Sequence, residues 1–349
     1  MKDIFGWELD KLVEDVKELG MPAFRAKQIF QWIYQKNIFA FDGMRNLSKT
    51  DIEKLKANFS ILPQDLIVLK VLQSQDRITR KFLLQLKDGA AVETVLMHHD
   101  YGYSICVSSQ VGCDMHCAFC ASGLNGCQRS LTKAEILAQV YLCNSILSAE
   151  NQRISRIVVM GSGEPMLNFD NVFAALEFLH DEKTANMSYR NMTVSTCGVI
   201  VGIERMENLG HPINLAISLH AVRDELRTKL MPINKANPFV KVIVAAEKYA
   251  KKTGRDVTYE YIMLRGCNDS TEDAQLLANF LKFKHASVNL IPANSVLEHG
   301  LQKSDEKTID RFLQVLNRNH INATVRKEMG GDIAAACGQL RNQFAKERT

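Results

Sequence analysis

Three cysteines, Cys113, Cys117 and Cys120, stand between Gly112 and Gly123 in the run GCDMHCAFCASG. Their C-x3-C-x2-C spacing keeps three thiolates close enough to hold three irons of a [4Fe–4S] cube. No fourth cysteine follows at the interval that would fill the last corner. One iron would then stay open to a small molecule. The competing chemistry is structural zinc, for which His116 or Cys127 could complete a set of four ligands. Structural zinc sites usually pair two short-spaced units, and no second unit follows downstream. Spacing alone leaves both metals open.

The elements that must position this loop decide between them. From Tyr103 onward, strand-like apolar runs alternate with helical ones. Strands are expected at 103–109, 156–160, 191–196, 213–218, 256–263 and 286–291, and helices at about 132–148, 170–180, 201–208, 238–251, 271–283 and 307–319. Such a β/α repeat predicts an α/β fold, a parallel sheet with helices outside it. The three cysteines then fall in the loop after the first strand, at the carboxyl edge where barrel chemistry sits. A zinc ribbon requires no such frame, so the context selects iron–sulfur.

Ahead of this region, residues 7–59 read as a small helical module. Leu9, Leu12, Val13 and Val16 form an apolar stripe that stops at Gly20, followed by Pro22. Phe24, Ile29, Phe30, Trp32, Ile33 and Tyr34 form a second, and Ser48 with Asp51 starts a third in the manner of a capping box. Strand-type segments follow at 66–72, 78–86 and 91–97, the last after the turn Lys87-Asp88-Gly89. The tail after Thr324 is expected to carry one more short strand, then EMGGDIAAACGQL and a basic helix. The chain thus divides into a helical accessory domain (1–60), a β-rich connector (61–98) and an α/β core with its C-terminal segment (99–349).

Polar groups recur just past the apolar strands. Gly163 and Glu164 lie in MGSGEP, where a carboxylate could accept from a ligand ammonium and glycines allow close backbone approach. Ser195 ends TVST, Ser218-Leu219-His220 follows NLAI, and Asn294 follows NLIPA. One such residue is an ordinary satisfied strand end; a series on successive strands makes a ligand-lined mouth.

Composition narrows the class further. The 349 residues are 46% hydrophobic and 23% charged, which suits an ordinary globular protein with ample core. The start, MKDIFGWELDKLVEDV, is charged and amphipathic rather than a signal peptide, and no apolar run reaches membrane-spanning length. Nine cysteines, an odd number, make no secreted-type disulfide framework, so a cytoplasmic location is expected. A net charge of +4 does not announce nucleic-acid binding. Basic residues cluster only locally, as Arg25, Lys27 and Lys36 and as Arg341, Lys346 and Arg348.

The cysteine spacing, with Phe119 before the last thiol, resembles that of the radical S-adenosylmethionine (SAM) enzymes, and the repeat suits their open, partial (β/α)6 barrel. In that superfamily the open iron chelates SAM and an electron from the cluster cleaves it to a 5′-deoxyadenosyl radical. PAFRAKQIFQWIY (22–34), SICVSSQVGC (104–113), MGSGEP, SLH, LMPIN (230–234), YIML (261–264), NLIP (289–292) and AACGQL (335–340) together resemble the RlmN-type dual-specificity RNA methyltransferases over essentially the whole chain. The resemblance implies methyl transfer to carbon 2 of an adenosine in 23S ribosomal RNA and in tRNA, with a [4Fe–4S] cluster on Cys113, Cys117 and Cys120 and two SAM molecules per turnover. It implies SAM contacts from Gly163, Glu164, Ser195, Ser218, Leu219, His220 and Asn294. It also implies an electron donor such as flavodoxin or ferredoxin, a monomer, and RNA contacts from the N-terminal helices.

Carbon 2 of adenine has no nucleophilic character, so direct attack on the SAM methyl group is closed to it. The resemblance implies that Cys337, as a thiolate, takes a methyl group from a first SAM. A radical made from a second SAM abstracts hydrogen from that methyl group, and the carbon adds to the base. Cys106 then attacks the sulfur of Cys337, releasing the product and leaving a disulfide. Glu93 matches the proton acceptor. By themselves Cys337 and Cys106 would read as small buried residues and Glu93 as the solvent face of a strand. The same group includes the Cfr-type resistance enzymes, which methylate carbon 8 of the same ribosomal adenosine; Pro292 in NLIP fits the C2 type better. Two departures stand out: Cys197 where serine is common, and no proline after Asn294.

Overall fold

The computed structural model describes residues 1–293, 301–326 and 329–333. The chain opens with a two-residue strand, β1 (Lys2–Asp3), and three helices, α1 (Leu9–Glu18), α2 (Phe24–Tyr34) and α3 (Lys49–Asn58). Gly20 ends α1 in the left-handed conformation, φ +69°. Its N–H bonds the Lys17 carbonyl at 2.9 Å and that of Met21 bonds Val16 at 3.2 Å, a Schellman stop. Ser48 caps α3 by accepting from Asp51 N–H at 3.1 Å, the half of the expected capping box that the structure shows. Strand β2 (Phe59–Ser60) then pairs with β1 in parallel, and a single turn, α4 (Leu62–Asp65), leads on.

Strands β3 (Ile67–Gln73), β4 (Thr79–Gln85) and β5 (Ala91–His99) follow as antiparallel neighbours. The barrel region then runs β6 (Gly102–Cys106), a hairpin of β7 (Gln110–Gly112) and β8 (Cys127–Ser130), and α5 (Lys133–Ser148). It continues through β9 (Ile154–Val159), α6 (Phe169–His180), β10 (Met192–Thr196), α7 (Ile200–Leu209), β11 (Asn214–Ser218) and a short α8 (Asp224–Leu230). Last come α9 (Phe239–Thr253), β12 (Val257–Met263), α10 (Thr271–Leu281), β13 (Ala286–Pro292), α11 (Glu306–Arg318) and β14 (Asn322–Val325). The closing strand therefore ends, rather than begins, near Thr324. The β7–β8 hairpin and α8 are elements that periodicity did not signal, being too short to show a period.

All ten strands β3–β6 and β9–β14 form one open sheet, in the order β14-β13-β12-β11-β10-β9-β6-β5-β4-β3. From β6 to β14 every neighbour is parallel, and β5 joins β6 antiparallel. The strands of the connecting segment thus extend the barrel sheet itself. Outward-facing Val194, Leu215, Ile217, Tyr259 and Tyr261 are buried beneath the helices. The helical module packs on the same core: Tyr34 lies 5.4 Å from Tyr141 of α5 and 4.8 Å from Phe178 of α6, ring centre to ring centre. Its hydroxyl accepts from Gly6 N–H at 2.7 Å. Arg25 is not a free surface cation; it pairs with Asp51 at 3.0 Å and braces α2 against α3.

Candidate active site

The strand ends meet at a cavity of about 360 Å³ on the carboxyl edge of the parallel sheet. Its wall includes Cys106, Cys113, Cys117, Cys120, Gly163, Glu164, Ser195, Ser218 and His220. Of the remaining residues singled out in the sequence, Leu219 is wholly buried and does not line the cavity, and neither does Glu93. Asn294 and Cys337 lie outside the described residues. His116 and Cys127, the possible fourth ligands of a zinc site, are also off the wall.

The cysteine loop is anchored from several sides. At its base β7 pairs with β8, and Cys113 N–H reaches the Gly126 carbonyl at 3.1 Å. The approach from β6 is pinned by Gln139 of α5, which bonds the Ser108 N–H at 2.9 Å and the Ser108 carbonyl at 3.0 Å. Burial pushes the Cys113 thiol up to about 12 and raises Cys117 further. Free thiolates are disfavoured there, so anionic sulfur at these positions requires a cationic partner such as bound metal. Three cysteines on one cavity wall have the donor chemistry of a cluster with one uncommitted corner, although among the described residues their side chains are not gathered into a metal-holding group.

Glu164 is 3% exposed. It accepts from Met166 N–H at 3.0 Å and from Cys197 N–H at 2.8 Å, tying its loop to the end of β10. Burial raises its pKa and these hydrogen bonds oppose the rise. Cys197 adds a thiol that burial holds far above its ordinary value, so this departure supplies a neutral wall group. His220 receives the Ile262 N–H on Nδ1 at 3.1 Å, and burial pushes its pKa down to about 3. The ring is therefore neutral with its proton on Nε2, and it meets Phe119 edge-on at 4.6 Å.

The glycine of GSGEP answers to packing as much as to any ligand. Gly163 has φ +105°, and a Cβ there would fall 2.6 Å from that of Gln110. Gly163→Ala should lower the stability of the metal-free protein by about 2–4 kcal/mol, combining backbone strain with overpacking. Chemical denaturation measures it; a loss within experimental error would show that the loop yields.

Sequence reading missed two charged wall residues. Glu260 accepts from Ser195 Oγ at 3.1 Å, and Arg326, just past β14, stands 3.9 Å from its other oxygen. Glu260 alternates with Tyr259 and Tyr261, so strand period places it inward; a carboxylate inside such an apolar run is the signal that could have found it. Glu93 lies two residues from the wall residue Val95, on the same face of β5, and is buried in an ion pair with Lys81 at 2.9 Å. Val95 in turn pairs with Cys106 across β5 and β6.

The chain matches the radical SAM superfamily model over residues 107–278, and the model of the ribosomal RNA large subunit methyltransferase N-terminal domain over residues 2–61. A solved radical SAM methyltransferase from Sphaerobacter thermophilus superposes with a TM-score of 0.93 at 37% identity, covering 97% of this chain and 99% of that one. Fold and cysteine loop are thus those of a radical SAM enzyme. A probable dual-specificity RNA methyltransferase RlmN of Clostridium perfringens is 47% identical over 349 residues, 100% of this chain and 99% of the relative. That of Staphylococcus aureus strain Newman is 45% identical over 347 residues, 99% of this chain and 94% of the relative. The chain belongs to the RlmN family of dual-specificity RNA methyltransferases.

Proposed function

We propose that this RNA methyltransferase acts on carbon 2 of an adenosine in 23S ribosomal RNA and in tRNA, by way of methylated Cys337. The observation that carries the reading is the placement of Cys106 on the same cavity wall as Cys113, Cys117, Cys120 and Glu164. A thiol at that position is within the reaction space rather than in the helix-covered core, where Cys143 lies.

The cluster and SAM, when bound, supply a methyl group and a hydrogen-abstracting radical, with two SAM molecules consumed per turnover. The residues of this chain do the rest. Cys113, Cys117 and Cys120 hold the cluster. Glu164 and Glu260 present carboxylates to a cationic ligand, and Val95, Met97, Ile262 and Ile291 give the same cavity apolar walls. Its volume is that of a small-molecule pocket of about 300–1,000 Å³. An RNA duplex cannot enter, so the target base must be extruded into it. Glu93 is the proton acceptor in this reading; it is ion-paired with Lys81 and lies off the wall, two residues along β5 from the wall residue Val95, so the base's proton must reach it past that wall. Cys106 resolves the protein–RNA link by thiolate attack on the sulfur of Cys337.

Pro292, on which the C2 assignment leans, lines the cavity. RNA from a strain lacking this protein should contain no 2-methyladenosine at its target sites, and restoring the gene should return it. Mass spectrometry of nuclease-digested ribosomal RNA and tRNA is the measurement. Finding 8-methyladenosine as the main product would instead place the chemistry at the Cfr-type carbon.

A further inference from the structure

Arg227 is a charged residue to which none of the steps above gives a part. It lies in α8 and is 0% exposed. Its Nε donates to the Leu219 carbonyl at 3.0 Å and Nη1 to Asn234 Oδ1 at 2.7 Å. Nη2 donates to the carbonyls of Cys197 at 2.8 Å and Ser218 at 3.3 Å. Every acceptor is neutral. Buried arginines ordinarily face a carboxylate, because removing a cation from water is costly. Among the described residues no carboxylate pairs with it directly; exposed Asp224 is joined to it only through the Asn234 side chain.

The same helix holds the cysteine loop. Ala118 N–H bonds the Leu230 carbonyl at 2.9 Å, at the last residue of α8. Leu230 and Met231 form an apolar cluster with Cys197, Ile262 and Ala293, and Met115, Cys117, Ala118 and Phe119 pack against it. Little water can screen a charge placed there. The guanidinium's bonds to the Cys197 and Ser218 carbonyls place it at the strand ends that border the same cavity as Cys117.

We propose that Arg227 is a positioning residue that sets the reduction potential of the cluster on Cys113, Cys117 and Cys120, and that it does so as a buried cation clamped by strand-end carbonyls. The inference rests on the iron–sulfur reading of the loop. Reduction by a low-potential one-electron donor adds one negative charge to a group already bound by three thiolates. A nearby uncompensated cation stabilises that added charge, and net charge is among the terms that set cluster potentials. The clamp also joins the ends of β10 and β11, from which Ser195, Ser218 and His220 line the cavity. Stability and charge are thereby combined in one side chain.

The test uses full-length protein, reconstituted anaerobically and assayed for iron and sulfide before any redox measurement. Arg227→Gln keeps N–H donors for the carbonyls but removes the charge. Arg227→Lys keeps the charge but loses the fork. Redox titration followed by electron paramagnetic resonance should show the ratio of reduced to oxidised cluster at a fixed potential falling about tenfold in Arg227→Gln, equivalent to ~59 mV for one electron. Arg227→Lys should stay near the parent. Should Arg227→Gln fail to fold, the double variant Asp224→Asn with Asn234→Asp carries the measurement. It leaves the net charge unchanged and moves a carboxylate from the exposed position to the atom that Nη1 already contacts. The reduced fraction must fall there too. Equal shifts in Arg227→Gln and Arg227→Lys, or a parent-like titration of the double variant, would overturn the inference. Parent protein that takes up no iron and sulfide would refute the cluster reading instead.

Discussion

Cys106→Ala is expected to trap protein joined to RNA, whereas Cys337→Ala yields no adduct at all. The asymmetry follows from the order in which the two thiols act. In the proposed mechanism Cys337 carries the carbon that reaches the base, so without it nothing can be linked. Cys106 enters only afterwards, when its thiolate attacks the sulfur of Cys337 and expels the methylene carbon that the base now carries, leaving a disulfide. Its position suits that late role: it ends β6, opposite Val95, and borders the cavity with the three loop cysteines. Replacing it by alanine removes one sulfur from the wall and leaves β6 paired on both sides, so the early steps are preserved. A denaturing gel of each variant after incubation with RNA, SAM and reductant separates the cases. Adduct in neither variant, or normal turnover in Cys106→Ala, would remove the two-thiol mechanism from this protein.

Alanine at Cys113, Cys117 or Cys120 should abolish both iron retention and reductive SAM cleavage. Loss of a supporting residue around a metal site already costs about 10–100-fold, so losing one of three ligands should exceed about a hundredfold. Iron content and 5′-deoxyadenosine formation are measured together. The fold should survive, because β7 pairs with β8 and Gln139 pins Ser108 independently of these sulfurs. A variant that forms 5′-deoxyadenosine at the parent rate would refute the ligand assignment. The control is Cys143→Ala, a thiol buried among the core residues of α5 and raised to about 12 by that burial, which should retain its iron.

The three loop cysteines, the β/α alternation and the motifs shared with the RlmN family were all legible in the chain, because each is a local pattern. Thiol spacing is set along the backbone, and a strand or helix shows its period within a few residues. Strand-end polarity likewise pointed to Glu164, Ser195, Ser218 and His220, which line the cavity. Lys81 beside Glu93 was not legible, nor was Ser195 bonded to Glu260, since those partners come from different strands and meet only through sheet register. Arg227 was hidden for the same reason. In sequence it is one charge in the polar helix DELRTKL, yet its acceptors come from residues 197, 218, 219 and 234. The sequence by itself determined which residue types were present for cluster, cofactor and thiol chemistry and the order of elements carrying them. Only the tertiary structure decided which charges face one another in the absence of water, because burial and strand pairing belong to the folded sheet and to no single segment of it.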